Sequence, residues 1–446
     1  MRVLLFHGYM LRGTGSNIYN ANLAPALARL GHEVHLLCQD REVELDGVQI
    51  HNPDIGGLLP VYVKDPYEGF EVKAFEELTE AELDRYIDAN VAAVRQVAAD
   101  AGGIDLALAN HLVMGPAILA RADIAPFAAK IHGSALEYTV KPHPRFLPCA
   151  EEGMRAAAGV LVGSGHTARS LWAALPQLPD LESKTRLGPP GVDIDAFRPS
   201  GSRDPLVIYV GKLIVSKGVD LLLAAWPLVR AAHPQARLQI VGFGEFEDGL
   251  RRLLAALERG DLEDAKEVAR LGRGLEGGAE EPLPILSAFL ENPPEGYLEA
   301  AKAAAGSVEW LGRLEHDAVA ELLPGAEALV MPSTFPEAFG MVAAEAAACG
   351  VLPVSAGHSG MLEVSRQLAA DLPEEVAGLI SFPVEPGAVE AIGARLDAWL
   401  AMPEAERESA RAALVATVQR LWSWEGVARG VLAAAAADLD ELPRPV

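Results

Sequence analysis

The chain has 446 residues, half of them hydrophobic and few aromatic, which is too long for one core and fits an α/β protein of two or three domains. Its net charge of −25 argues against nucleic acid as a partner. Cys38, Cys149 and Cys349 have no ligand spacing, so a disulfide framework and a zinc site are excluded and a reducing cytoplasm is expected. No apolar run approaches membrane-spanning length, and the one at Met1–Phe6 is too short for a leader.

Arg2–Phe6 is a continuous apolar run, as in a parallel strand covered on both faces. A loop with Gly8, Gly13 and Gly15 follows, then an amphipathic helix at about Ile18–Leu30, then a strand at Glu33–Cys38. This is a Rossmann-like opening. Gly13 and Gly15 fit the first pair of a dinucleotide fingerprint. The third glycine and a ribose-binding acid are missing, so a simple turn and phosphate approach both stand above dinucleotide binding. Residues 39–69 are irregular and rich in Pro, Gly and Asp, the composition of a specificity loop. A helix is expected at Glu80–Ala99 and strands at Asp105–Asn110, Ala128–Ile131 and Gly159–Val162. His132 follows the second of these, where a doubly wound sheet faces its ligand. It is a candidate polar contact or proton-handling group, against the plainer reading of a loop cap. His7, His111 and His166 have weaker claims.

Leu187–Pro205 is dense in proline and glycine and breaks both periodicities, so a domain boundary is placed at about 200/201. The strand–loop–helix order then restarts. Leu206–Val210 reads as a strand, Gly211–Gly218 as a loop, Val219–Val229 as a helix and Arg237–Val241 as a strand leading to Gly242 and Gly244. The chain has only nine lysines, yet Lys212 and Lys217 share one glycine-bounded turn. Two ammonium groups at a strand end can neutralise a diphosphate; two ordinary surface lysines are the alternative. Residues 258–306, with eleven acidic and five basic side chains, exceed a minimal strand–helix repeat and read as an inserted segment with two helices. An apolar strand at Ala328–Pro332 leads to a loop with Glu337 and a helix at Met341–Cys349 that carries Glu345. A helix N-terminus suits phosphate and carboxylates accept from hydroxyls, which together suggest a nucleotide-sugar. The plain alternative is an acidic cap and one surface Glu. Alanine-rich helices follow Pro386, and Trp422–Trp424 opens a last helix.

In order and spacing, several short motifs resemble the GT-B retaining glycosyltransferases of glycosyltransferase family 4. They are Gly31–Val34, Pro190–Asp193 with Phe197–Pro199, Gly211–Leu213 with Lys217–Gly218, Val241–Gly244, Gly312–Leu314, and Glu337 and Glu345 around Phe339-Gly340. The resemblance implies two Rossmann-like doubly wound domains, 1–200 for the acceptor and 201–420 for the donor, facing an interdomain cleft. It also implies that a helix in 421–446 crosses back to the first domain. The implied reaction is α-linked transfer from a nucleotide-diphosphate sugar to an acceptor hydroxyl of unknown identity. Glu337 would bind sugar hydroxyls, Glu345 the ribose, and the backbone at Phe339, Gly340, Met341 and Val342 the sugar and phosphate. Lys212 and Lys217 would offset the diphosphate charge. Gly15, Gly244, Arg313 and Leu314 complete the implied donor contacts, with Thr14 replacing the first glycine of the family's pair. His132 matches a histidine near the transferred sugar. Neither a metal nor a cofactor beyond the donor is expected, and homo-oligomer formation is left open. A non-catalytic nucleotide-sugar-binding protein and a GT-B isomerase or phosphorylase are the alternatives.

Overall fold

The computed structural model describes residues 1–13, 15–62, 67–201 and 203–445. The expectation at Thr14 therefore lies outside the described residues. The chain forms two units, Met1–Gly191 with Trp422–Val446, and Val192–Leu421.

The first unit is built on a seven-stranded parallel sheet. Its strands are β1 (Arg2–Phe6), β2 (Glu33–Leu37), β3 (Val48–His51), β6 (Leu106–Asn110), β7 (Phe127–Ile131), β8 (Gly159–Val162) and β9 (Thr185–Leu187), in the order β3-β2-β1-β6-β7-β8-β9. A separate parallel pair is formed by β4 (Leu58–Val61) and β5 (Glu71–Ala74). The apolar run of β1 is divided by the pleat: Leu4 and Phe6 enter one core, Val3 and Leu5 the core on the other face. That second core also takes Trp424, Ala428 and Val431 of the closing helix, Trp424–Ala435, which packs beside the helix Gly15–Arg29.

The second unit repeats the plan with six parallel strands: β10 (Leu206–Val210), β11 (Arg237–Val241), β12 (Val308–Gly312), β13 (Ala328–Met331), β14 (Leu352–Ala356) and β15 (Ser381–Phe382). Their order is β12-β11-β10-β13-β14-β15. Both sheets reverse direction of growth at their first strand, between β1 and β6 and between β10 and β13. Such a switch point opens a crevice at the carboxyl ends of the two strands.

The two units divide at 191/192 rather than at about 200/201, and three stretches differ from the sequence expectations. The stretch 39–69 contains β3 and β4. The inserted segment holds the helices Leu262–Leu271, Pro284–Glu291 and Tyr297–Ala303 and a 3₁₀ turn, Arg273–Glu276, rather than two helices. It begins later than expected, because the helix Glu247–Arg259 continues to Gly260 and Asp261 caps the next helix by accepting from Asp264 N–H at 3.1 Å. The first helix starts at Gly15, three residues before the amphipathic pattern. Among the described residues no helix is long and apolar enough to cross a membrane.

Candidate functional site

At the switch point of the second unit, two loops meet: Gly211–Gly218 after β10, and Pro332–Gly340 after β13. Gly218 has φ 66°, and a Cβ there would stand 2.0 Å from Pro332 O, so only glycine allows this approach. Thr334 N–H donates to Ser216 O at 2.9 Å. The contact brings Lys217 to Glu337 across 120 residues of sequence, and Lys217 Nζ donates to Glu337 Oε1. Ser333 Oγ donates to the same oxygen at 2.8 Å. Glu337 N–H donates to Ser359 Oγ at 2.9 Å, and Gly360 N–H to Glu337 O at 2.9 Å. His358 completes the frame. Its Nε2 donates to Ser333 O at 2.8 Å, so its Nδ1 accepts from Ser359 Oγ at 3.1 Å. Neither carboxylate nor ammonium is fully exposed, at 22% and 29%. A partly dry pair of this kind has its geometry fixed more tightly than a surface pair.

Gly340, at φ 107°, turns the chain into the helix Met341–Ala348. Phe339 is buried and anchors the turn, while Met341 and Val342 remain partly accessible in the first helical turn. That turn carries backbone N–H groups with no helical acceptor and the positive end of the helix dipole, the usual requirements for phosphate. Glu345 lies further along the same helix and is nearly buried, and its Oε1 accepts from His316 Nε2 at 2.9 Å. Burial opposes charge on His316, but the Glu345 bond and charge, with Asp193 and Asp317, outweigh it and raise the ring above its ordinary value. Phe197 packs on His316 with ring centres 4.8 Å apart.

Lys212 is half-buried, and its carbonyl accepts from Tyr209 Oη at 2.8 Å. Gly244 bears on this loop through its backbone, since a Cβ there would meet Leu213 O at 2.4 Å. Arg313 lies over Phe243, 5.1 Å from the ring centre, and pairs with Glu315 at 3.1 Å; Leu314 beside it is partly buried.

In the first unit, His132 follows β7 and joins a buried polar chain at the β1/β6 switch point. Asn110 Nδ2 donates to Phe6 O at 3.1 Å and to Asn20 Oδ1 at 2.8 Å, so Asn110 Oδ1 must accept from His132 Nε2, at 2.8 Å. Asn20 Nδ2 donates to His7 Nδ1 at 3.1 Å, which leaves His7 Nε2 to donate to Asn17 Oδ1 at 2.9 Å and Met10 O at 3.0 Å. One tautomer is thereby fixed for each ring, and His132 Nδ1 is an acceptor. Burial, then the neighbouring His111, Lys130 and His7, holds His132 far below the ordinary histidine range, so it is neutral at pH 7. Gly15 sits at the exposed start of the helix that carries Asn17 and Asn20.

Sequence reading missed His316, His358, Ser333, Ser359, Asn110, Asn17 and Asn20. A signal existed for the asparagines: Asn17 and Asn20 occupy core-facing positions of a helix, and Asn110 ends an apolar strand, places where a polar residue must have a partner. Among the described residues no group of three or more His, Cys, Asp or Glu is arranged to hold a metal ion.

The family described as Glycosyltransferase Family 4 matches residues 13–196, and that described as Glycosyl transferases group 1 matches 193–261 and 297–414. A D-inositol 3-phosphate glycosyltransferase from Segniliparus rotundus is 31% identical over 301 residues, 65% of this chain and 53% of that protein, so the chain spans about half of that relative's length. Sucrose-phosphate synthase from Thermosynechococcus elongatus superposes with a TM-score of 0.64 at 21% identity, covering 96% of this chain and 97% of the other. HepE from Anabaena, solved with UDP and glucose, gives 0.60 at 16%, over 99% and 100%. With its two halves matched in sequence order and its two parallel sheets matching GT-B structures, the chain belongs to glycosyltransferase family 4 and has the GT-B fold.

Proposed function

We propose that this chain moves a sugar from a nucleotide-diphosphate sugar to an acceptor hydroxyl with retention, giving an α-linked product, and that it needs no metal. The observation that carries the proposal is the meeting of Lys217 and Glu337 at the switch point, one turn before a helix N-terminus. Cationic, N–H and carboxylate groups there match, in order, a diphosphate and a sugar. The carboxylate is framed by Lys217 and Ser333, and the backbone N–H of the same residue donates to Ser359 Oγ. It is thus set as an acceptor for sugar hydroxyls rather than as an attacking group. Glu345, held by His316, takes the ribose.

In the reaction the C1–O bond to the diphosphate breaks while Lys212, Lys217 and the helix N–H groups stabilise the charge growing on the leaving group. The acceptor oxygen bonds C1 on the same face, and its proton passes to the leaving phosphate oxygen. The neutral His132, with Nδ1 as acceptor, offers a substrate hydroxyl a partner without adding charge. We assign the donor to the second unit and the acceptor to the first, with no cofactor beyond the donor. A cytoplasmic location fits the thiols Cys38, Cys149 and Cys349, none of which is in a disulfide.

A thermal-shift panel of uridine, guanosine and adenosine diphosphates and their sugar esters tests the donor. One nucleoside diphosphate should raise Tm at millimolar concentration, with and without EDTA. If none does, the donor reading fails. With the donor in hand, proton NMR of the product reads the anomeric centre, and a β-linked product from an α-linked donor rules out retention.

A further inference from the structure

Residues 262–296 lie between the two stretches matched as Glycosyl transferases group 1. The segment is closed on itself. The helix Leu262–Leu271 ends at Gly272 and the 3₁₀ turn Arg273–Glu276 ends at Gly277. The returning chain is tied to the outgoing one: Arg273 N–H donates to Glu281 O at 3.1 Å, Gly278 N–H to Arg273 O at 3.1 Å, and Leu283 N–H to Ala269 O at 2.8 Å. Arg273 also pairs with Glu281 at 3.0 Å. A loop held this way delivers the side chain at its tip to one place.

That side chain is Glu276. It is 16% exposed, against 61% for Glu280 and 68% for Glu281, so it is turned inward where its neighbours face water. Its Oε1 accepts from Val215 N–H at 3.0 Å. Val215 opens the short turn that ends in Lys217. Elsewhere the lysine loop is held by the body of the unit: Leu213 N–H donates to Phe243 O at 2.8 Å, and Ser216 O accepts from Thr334 N–H at 2.9 Å. The tie at Val215, between those two, comes from the inserted segment. Burial raises the Glu276 carboxyl above its ordinary value, while the Val215 N–H and Arg273 draw it back down.

We propose that residues 262–296 brace the phosphate-binding loop, and that Glu276 is a positioning residue which, through Val215 N–H, sets where Lys212 and Lys217 stand for the donor diphosphate. The brace rests on reading that loop as the donor's phosphate site. It adds a part of the chain that the family match leaves out, and it ties the segment to donor affinity rather than to the acceptor.

Three variants test it in the full chain. Glu276→Ala removes the acceptor, Glu276→Asp withdraws it by one methylene, and Glu276→Gln keeps an oxygen in place; Glu280→Ala is the control. Hydrogen exchange over 213–218, measured without ligand, should quicken about fivefold in the Ala and Asp variants and stay near wild type in Gln and the control. Donor KM should rise about tenfold in Ala and Asp with kcat within about threefold, and return with Gln. Unchanged exchange and KM in both the Ala and Asp variants overturn the brace. So does a Gln variant as impaired as Ala, since the hydrogen bond would then not be the tie. If exchange responds as expected but the wild-type chain binds no nucleoside diphosphate, the donor reading falls and the brace is still supported.

Discussion

On the proposed function, Glu337 is one carboxylate that serves structure and chemistry together. Its Oε1 receives both Lys217 and Ser333, while its backbone is fixed by Ser359 and Gly360. Glu337→Gln keeps the shape and the backbone ties but removes the charge opposite Lys217. Because the proposed partner of the carboxylate is the sugar, transfer should fall by about a hundredfold or more. Affinity for the nucleoside diphosphate alone should hold within about threefold or tighten, since Lys217 is released towards phosphate. Steady-state kinetics and calorimetry with the nucleotide check the two halves of this expectation. A loss shared equally by both would mean that Glu337 merely holds Lys217 in place. From the residues alone, Lys217 and Glu337 were legible as two separate motifs, because lysines are scarce and Glu337 precedes a helix, and only the family resemblance joined them at one donor. Their contact was not legible: it depends on β10 and β13 being neighbours, which is a property of strand order.

At the scale of elements, small residues decide where the last helix can lie. Gly159, the first residue of β8, has room for no side chain: a Cβ there would meet Ala434 O at 2.5 Å, inside the closing helix. The helix buries Trp424, Ala428 and Val431 in the core shared with β1, and Ser423 caps its start by accepting from Gly426 N–H at 3.3 Å. Gly159→Ala should push this helix off the sheet and destabilise the first unit by about 1–3 kcal/mol, an overpacking cost. Chemical denaturation followed by peptide-resolved hydrogen exchange should show the loss in 1–191 and 422–446 and leave 192–421 unaffected. The central strands could be read from sequence because both faces are covered and their apolar runs are unbroken, as at Leu106–Ala109. The separate pair β4 and β5 could not. β4 carries Pro60, and β5 alternates Glu71 and Lys73 with apolar neighbours over only four residues. The buried asparagines escaped for a related reason. Pattern reading treats a polar residue as exposed, whereas Asn20 and Asn110 are buried because each completes the other's hydrogen bonds.

For the molecule as a whole, histidines give the two units opposite responses to acid. In the first unit, burial lowers His7 to about 4, against the bonds to Asn17 and Met10 that favour charge. His111 and His132 are depressed as well. A ring whose folded pKa lies below its unfolded value of about 6.5 stays neutral in the native state while the unfolded chain takes up a proton. Its contribution to stability is therefore full above about pH 6.5 and is lost as pH falls towards the folded value, by about 1.4 kcal/mol per pH unit for one ring. In the second unit, His316 is raised by Glu345. Its contribution is full below about pH 6.5 and is lost as pH rises through the folded value. Mild acid should thus weaken the first unit through its histidines while preserving the His316–Glu345 tie. Stability of the first unit, followed by hydrogen exchange between pH 7.5 and 5, is the measurement, and His7→Gln separates histidine from carboxylate effects because Gln does not titrate. The variant should be less stable than wild type at pH 7.5, with the gap closing by about 1.4 kcal/mol per pH unit below pH 6.5. A gap that stays constant over that range would show that His7 takes up its proton equally in the folded and unfolded chains, and the buried neutral ring between Asn17 and Asn20 would have to be abandoned.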